Sequence, residues 1–172
     1  MSVTLTELAE VLEREAELNV QLLEEAERKR TAVIEGDLDT LEAILRREQA
    51  LIAEMEAAEA RRQPLAEAAC RQLGLGAPVK MARIIDKAPE PHATCLASVR
   101  ERLRGVLDQL RFRTQQNANL LQASIRHVDG FLHMVAETGA PEPVYGRDGR
   151  RLIHPGEPAY AERARRWAEL LL

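Results

Sequence analysis

The longest apolar repeat of the chain lies in residues 92–140, HATCLASVRERLRGVLDQLRFRTQQNANLLQASIRHVDGFLHMVAETGA, which contain no proline. Apolar residues recur in it at three- and four-residue steps, beginning with Leu96, Val99 and Leu103, and this spacing places them on one face of an α-helix. A helix over residues 92–137 would be roughly 70 Å long at the α-helical rise. The sequence therefore predicts an all-α protein built around one very long helix.

The apolar face of this helix widens in its second half. It covers roughly 100° of the helix circumference over residues 96–110 and roughly 180° over residues 120–135. Two amides, Asn117 and Asn119, stand where the widening begins. A two-helix hairpin cannot bury the extra arc, so an amphipathic helix of a partner is the expected cover. The chain's own C-terminal segment or a second copy of the protein is the alternative. We call the wider set the distal stripe; its members are Leu120, Leu121, Ile125, Val128, Phe131, Leu132, Met134 and Val135.

A first helix is predicted over about residues 4–35 by the same three- and four-residue spacing. Asn19 occupies one of its interface positions, and a lone asparagine at such a position usually fixes the register of the helices at some cost in stability. The predicted interface positions are Leu5, Leu8, Leu12, Asn19, Leu22, Ala26 and Val33.

A second helix is predicted over about residues 38–73. Gly36 suits the left-handed position that follows a helix, and Asp37 suits the N-cap of the next one. A turn this short makes the two helices antiparallel neighbours. Pro64 interrupts the second helix, which either kinks or restarts there. The predicted interface positions are Leu38, Leu41, Leu45, Ile52 and Met55, with Leu51 beside them.

A short helix over about residues 79–87 is predicted to cover one end of the bundle. Gly74-Leu75-Gly76 before it is a glycine C-cap, and the prolines after it separate it from the long helix. The long helix, over residues 92–138, should overhang its roughly 50 Å partners or bend. Residues 1–138 therefore form one elongated antiparallel helical bundle, or coiled coil, of three long helices and a short one.

Residues 139–172 form a Pro/Gly-rich linker and a flexible, amphipathic C-terminal tail. Three of the five aromatic residues of the chain lie in this segment. Aromatic side chains are common anchors of binding interfaces. We therefore expect Tyr145, Tyr160 and Trp167 to be tail anchors for a partner or for the bundle.

The composition excludes several functions. The net charge of -4 gives no support to nucleic-acid binding, and no apolar run reaches the roughly 20 residues that a membrane span requires. The histidines show no four-residue pairing and the cysteines no Cys-x-x-Cys motif, so we expect neither a metal nor another cofactor. No nucleophile stands beside a plausible base. We predict that the chain is not an enzyme and is a reduced, cytoplasmic protein.

Several motifs together carry a resemblance. A Gly-Asp turn follows the first helix, and a Pro/Gly break precedes the long one. The long helix contains Asn-x-x-Leu-Leu, at Asn117, Leu120 and Leu121, and Ser124 and Ile125 come just after it. A Tyr-Gly-x-x-Gly segment begins at residue 145. Over roughly residues 4–150 the chain resembles the FlgN family of bacterial flagellar type III export chaperones. That family often shows Asn-x-x-Asn-x-x-Leu-Leu, and the first Asn position is Thr114 in this chain.

The resemblance implies a specific function. Such chaperones bind the C-terminal helical segments of the flagellar hook–filament junction (hook-associated) proteins, prevent their premature assembly and deliver them to the flagellar type III export apparatus. A homodimer in the absence of cargo is a further expectation. The cargo-binding residues would be Asn117, Leu120, Leu121, Ser124, Ile125, Val128, Phe131, Leu132 and Val135. The alternative hypothesis is a structural coiled-coil or adaptor protein that uses the same apolar face for constitutive oligomerisation.

Overall fold

The computed structural model describes residues 2–76 and 79–138, and within them the chain forms four α-helices. They are α1 (Ser2–Glu35), α2 (Leu38–Gln72), α3 (Met81–Lys87) and α4 (His92–Thr138). The predicted all-α bundle of three long helices and one short helix is confirmed. The predicted linker and tail, residues 139–172, lie outside the described residues.

The turn between α1 and α2 forms as the sequence predicts. Gly36 has a φ of 68°, a left-handed conformation that costs little only for glycine. The backbone N–H of Asp37 donates to the carbonyl of Ala32 at 2.9 Å, which closes the end of α1. The carboxylate of Asp37 accepts from the backbone N–H of Thr40 at 3.1 Å and so caps α2. The chain reverses within these residues, and α1 and α2 lie antiparallel.

Helix α1 is the central helix of the bundle. It packs against α2 and α4 along much of its length, whereas the Cα atoms of α2 and α4 stay more than 8 Å apart. Ion pairs between Glu13 and Arg102 and between Glu27 and Arg113 follow the same order along α1 and α4. Helix α4 therefore runs parallel to α1 and antiparallel to α2.

Two apolar clusters hold α4 in the bundle. At its beginning, residues from all four helices form what we call the proximal core, in which α3 contributes the buried Ile84 and closes the end of the bundle. Near the α1–α2 turn a smaller cluster, the turn core, contains Ala32, Val33, Leu41 and Ile44. The buried members of the proximal core are Leu5, Leu8, Ala9, Leu12, Ala69, Cys70, Ile84, Leu96 and Val99.

The contact face of α2 differs from the predicted one. Leu51 is fully buried, whereas Ile52, which we expected at the interface, is 49% exposed. The buried positions of α2 follow a heptad spacing that passes through Glu48 and Arg62. Both are neutralised by α1, since Glu48 pairs with Lys29 and Arg62 donates to Glu15 at 2.8 Å. Charged residues at interface positions concealed the heptad in the sequence.

Pro64 lies inside α2 and does not divide it. The helix is continuous from Leu38 to Gln72, so of the two predicted alternatives, a kink or a restart, the restart does not occur. Its end is the expected glycine C-cap. Gly74 has a φ of 67°, and the backbone N–H of Leu75 donates to the carbonyl of Cys70 at 2.9 Å.

Candidate functional site

The candidate site lies on α4, whose burial decreases along its length. Leu96 and Val99 are buried in the proximal core. Beyond them Val106, Leu107 and Leu110 are only half-buried and belong to none of the core clusters among the described residues. The beginning of α4 therefore anchors the helix, and the bundle covers the apolar surface from Val106 onward incompletely.

Asn117 is a buried polar residue near the middle of α4. Its side chain is 5% exposed, and its Nδ2 donates to the carbonyl oxygen of Ala26 on α1 at 2.7 Å. Its Oδ1 is buried and accepts no hydrogen bond from any described residue. The second amide, Asn119, is exposed and accepts at 3.1 Å from Gln115 on its own helix. Asn117 thus holds α4 to α1, and Asn119 does not.

The start of the distal stripe is part of the bundle. Leu120 and Leu121 are half-buried and pack against the turn core. Ser124 is also half-buried, and its hydroxyl donates to the carbonyl of Leu120 at 3.1 Å, one turn back on the same helix. Leu120 and Leu121 therefore link the stripe to the end of the α1–α2 hairpin.

The remainder of the distal stripe extends past the hairpin. Leu120 and Leu121 pack with Ala32 and Val33 near the end of α1, whereas α4 continues to Thr138, about 15 residues or roughly 22 Å beyond the end of α1. Ile125, Val128 and Phe131 are half-buried there. Leu132 is 39% exposed and Met134 52% exposed. The predicted overhang is present. The backbone of Val135 lies in α4, but its side chain is outside the described part of the chain.

One exposed aromatic residue was missed by sequence reasoning. Phe112 is 61% exposed on α4, and the guanidinium of Arg113 lies 6.0 Å from the centre of its ring. Arg113 itself pairs with Glu27 on α1. In the sequence Phe112 stands among polar residues and away from the apolar face of the helix. This isolation could have identified it as an exposed aromatic residue.

A second concavity lies between α1 and α2. It is an open groove of about 730 Å³, and both acidic and basic side chains line it. Arg14 in this groove donates to Glu17 at 3.2 Å and to Glu54 at 2.6 Å. The hydrogen bonds to Glu17 and then Glu54 raise the pKa of the Arg14 guanidinium. The charge of Arg14 is therefore already compensated within the protein.

Other kinds of site find no support in the described residues. Residues 2–76 and 79–138 contain no group of three or more His, Cys, Asp or Glu side chains placed to hold a metal ion. In the same residues, no helix has the length and apolar character needed to cross a membrane.

A comparison with protein families identifies the family of the chain. The family model described as FlgN protein matches residues 1–152, which include all four helices. The chain belongs to the FlgN family. Searches among curated proteins and among solved structures gave no match. FlgN proteins are flagellar export chaperones and are not known as enzymes. The match also continues past α4 into residues 139–152.

Proposed function

We propose that this FlgN-family chain is a cytoplasmic export chaperone for flagellar hook–filament junction proteins. It binds their C-terminal helical segments on the distal stripe, prevents their premature assembly and delivers them to the flagellar type III export apparatus. The observation that carries the proposal is the extension of α4 beyond the α1–α2 hairpin with an apolar face that becomes more exposed toward Leu132 and Met134.

The dimensions of the stripe fit a helical ligand. Residues 120–135 span roughly 22 Å along α4, which is about four turns of an α-helix. A bound amphipathic helix of similar length would place apolar side chains at three- and four-residue steps along this surface. Asn117 stands at one end of the stripe, and its buried Oδ1 is an acceptor that cargo reaches only when α4 separates from α1. Leu120, Leu121, Ser124, Ile125, Val128, Phe131, Leu132 and Val135 complete the proposed cargo-binding set.

Isothermal titration calorimetry with synthetic C-terminal segments of junction proteins tests the assignment. Leu132→Asp is the informative variant because Leu132 is exposed and outside the core clusters, so the fold should tolerate the change. We expect at least a tenfold weaker affinity, since one desolvated charge in such an interface costs more than about 1.4 kcal/mol. Gln122→Asp is the matched control. It adds the same charge to an exposed position on the side of α4 opposite the stripe, and its affinity should change less than about twofold. Equal binding by Leu132→Asp and wild type would remove the distal stripe as the cargo site.

The chaperone and the structural adaptor differ in what covers the distal stripe in the absence of cargo. In the adaptor a second copy of the chain covers it permanently. Sedimentation of the free chain at micromolar concentration measures its oligomeric state. A monomer, or a dimer that the cargo segment dissociates, agrees with the chaperone function. A dimer that persists with saturating cargo and dissociates on Leu132→Asp substitution would favour the adaptor.

A further inference from the structure

Helix α4 contains a glycine for which neither packing nor backbone conformation gives a reason. No atom outside the local helix lies within 4 Å of the position that a Cβ of Gly105 would occupy. The positive φ angles among the described glycines are at residues 36, 74 and 76, so Gly105 has an ordinary helical conformation. Alanine would fit and would strengthen the helix. What glycine adds at this position is a helix that bends more easily.

Gly105 separates two differently attached parts of α4. Immediately before it, Leu96, Val99 and Leu103 pack in the proximal core with residues from three other helices. Beyond it, α4 is attached to the described bundle by the ion pair of Arg113 with Glu27, the hydrogen bond of Asn117, and the packing of two half-buried leucines on the turn core.

The polar contacts that attach α4 to α1 beyond Gly105 are weak. Asn117 donates one hydrogen bond to α1, but its Oδ1 is buried without a donor among the described residues, and such an atom costs free energy as long as it stays out of water. Arg113 and Glu27 keep side-chain exposures of 35% and 45%, so water screens their attraction. Separation of α4 from α1 would hydrate Oδ1 and leave both charges solvated. The closed arrangement is therefore held less firmly here than at the proximal core.

We propose that α4 bends at Gly105 and that residues 106–138 swing away from α1 as one arm, even in the free chain. Opening creates a cleft between the two helices. One wall is the inner face of α4, with Leu110, Leu120 and Leu121, and the other is α1 around Ala26 and Val33. An amphipathic helix is the ligand that such a cleft fits. Only this assignment of the occupant rests on the proposed function, because the bending is a property of the chain alone.

The size of the movement follows from the helix geometry. Gln122 lies 17 residues beyond Gly105, or about 25 Å along α4. A bend of about 20° at Gly105 would therefore displace Gln122 by roughly 9 Å. A shift of this size is readily measured with paired spin labels.

Double electron–electron resonance on the free protein tests the proposal. The labels are placed at Thr31→Cys on α1 and Gln122→Cys on α4, both exposed, in a Cys95→Ser background that leaves the buried Cys70 in place. We expect two populations of distances, the longer one greater by roughly 9 Å. Gly105→Ala should reduce the longer population severalfold. A single narrow distribution in the wild type, or two populations that Gly105→Ala leaves unchanged, would overturn the proposal.

Two controls make the result specific to Gly105. Gly130→Ala is the matched variant, since Gly130 is also helical and its Cβ would also meet no atom within 4 Å, but it lies beyond the contacts with α1. It should leave the Thr31–Gln122 distances unchanged, and an equal effect of both alanines would contradict a hinge at Gly105.

A second label pair, Glu10→Cys with Ala97→Cys, spans the proximal core and should give one distance. Two distances there would mean that the whole of α4 detaches, which also contradicts the hinge.

The outcome does not depend on the identity of the cargo. If the junction-protein segments fail to bind, the proposed function fails while the distance measurements on the free chain still decide the hinge. If they bind, saturating segment should increase the longer population at least twofold in the wild type. A segment that binds tightly without changing these distances would show that it lies on the closed helix, and the cleft would be rejected as its site.

Discussion

Replacement of Asn117 by leucine is expected to stabilise the protein, although it removes a buried hydrogen bond. The bond that is lost runs from Nδ2 to the carbonyl of Ala26, which also accepts the backbone bond of α1, so its removal costs about 0.5–1.5 kcal/mol. The change also removes the buried Oδ1, which has no donor among the described residues, and this relieves about 1–3 kcal/mol. A leucine side chain of similar size then gains apolar burial, partly offset by imperfect fit.

The net result is an increase of about 1–2 kcal/mol in the free energy of unfolding. For a chain of this size the melting temperature should rise by roughly 3–6 °C. Thermal and urea unfolding followed by circular dichroism measure both quantities. Asn119→Leu is the matched control, because it makes the same change at an exposed position two residues along α4. It should alter stability by less than about 0.5 kcal/mol.

A lower melting temperature for Asn117→Leu would contradict this prediction, since the amide would then contribute more to stability than its Oδ1 without a donor costs. Asn117→Asp gives a second check at the same atom positions. It brings a buried carboxylate to the carbonyl of Ala26 without a cation, and it should destabilise the protein by about 3 kcal/mol or more. If the Asn117→Asp substitution proves harmless, the site is wetter than the 5% exposure of Asn117 indicates.

Three further changes test the fold by urea unfolding. Leu96→Ala should cost about 2–5 kcal/mol because Leu96 is fully buried in the proximal core, and a cost below about 1 kcal/mol would mean that this core does not anchor α4. Gly36→Ala should cost about 1–2 kcal/mol through its left-handed backbone, and an unchanged midpoint would contradict the turn. Arg62→Ala should cost about 1–3 kcal/mol, since it leaves the buried carboxylate of Glu15 without its cation; the double variant Glu15→Leu, Arg62→Leu should recover most of that loss.

The sequence predicted those parts of the fold that depend on local spacing. The caps at Gly36, Asp37 and Gly74 follow from the conformations that these residues favour, and the length of α4 follows from an uninterrupted apolar repeat. The prediction of the contact face of α2 was partly wrong because Glu48 and Arg62 occupy interface positions. A charged residue shows its partner on another helix only after folding, so its position reads as solvent-facing in the sequence.

The apolar stripe of the candidate site could be predicted from the sequence. The sequence could not show which part of the stripe packs on the bundle and which part extends beyond it. The apolar spacing of α4 cannot show that Leu120 and Leu121 meet the turn core while Leu132 lies beyond it. That division depends on the parallel alignment of α4 with α1, which is set by contacts between residues distant in the chain. The burial of Asn117 against Ala26 follows from the same alignment.

Hydrogen–deuterium exchange of the intact protein, with and without the C-terminal helical segment of a junction protein, is the most direct test of the central claim. We expect saturating segment to slow the exchange of backbone amides over residues 120–134, with the largest change around Val128 and Leu132. Amides of the proximal core, such as those of Leu8 and Leu96, should keep their rates. Tight binding that protects the groove between α1 and α2 and leaves residues 120–134 unchanged would contradict the claim that the distal stripe binds cargo.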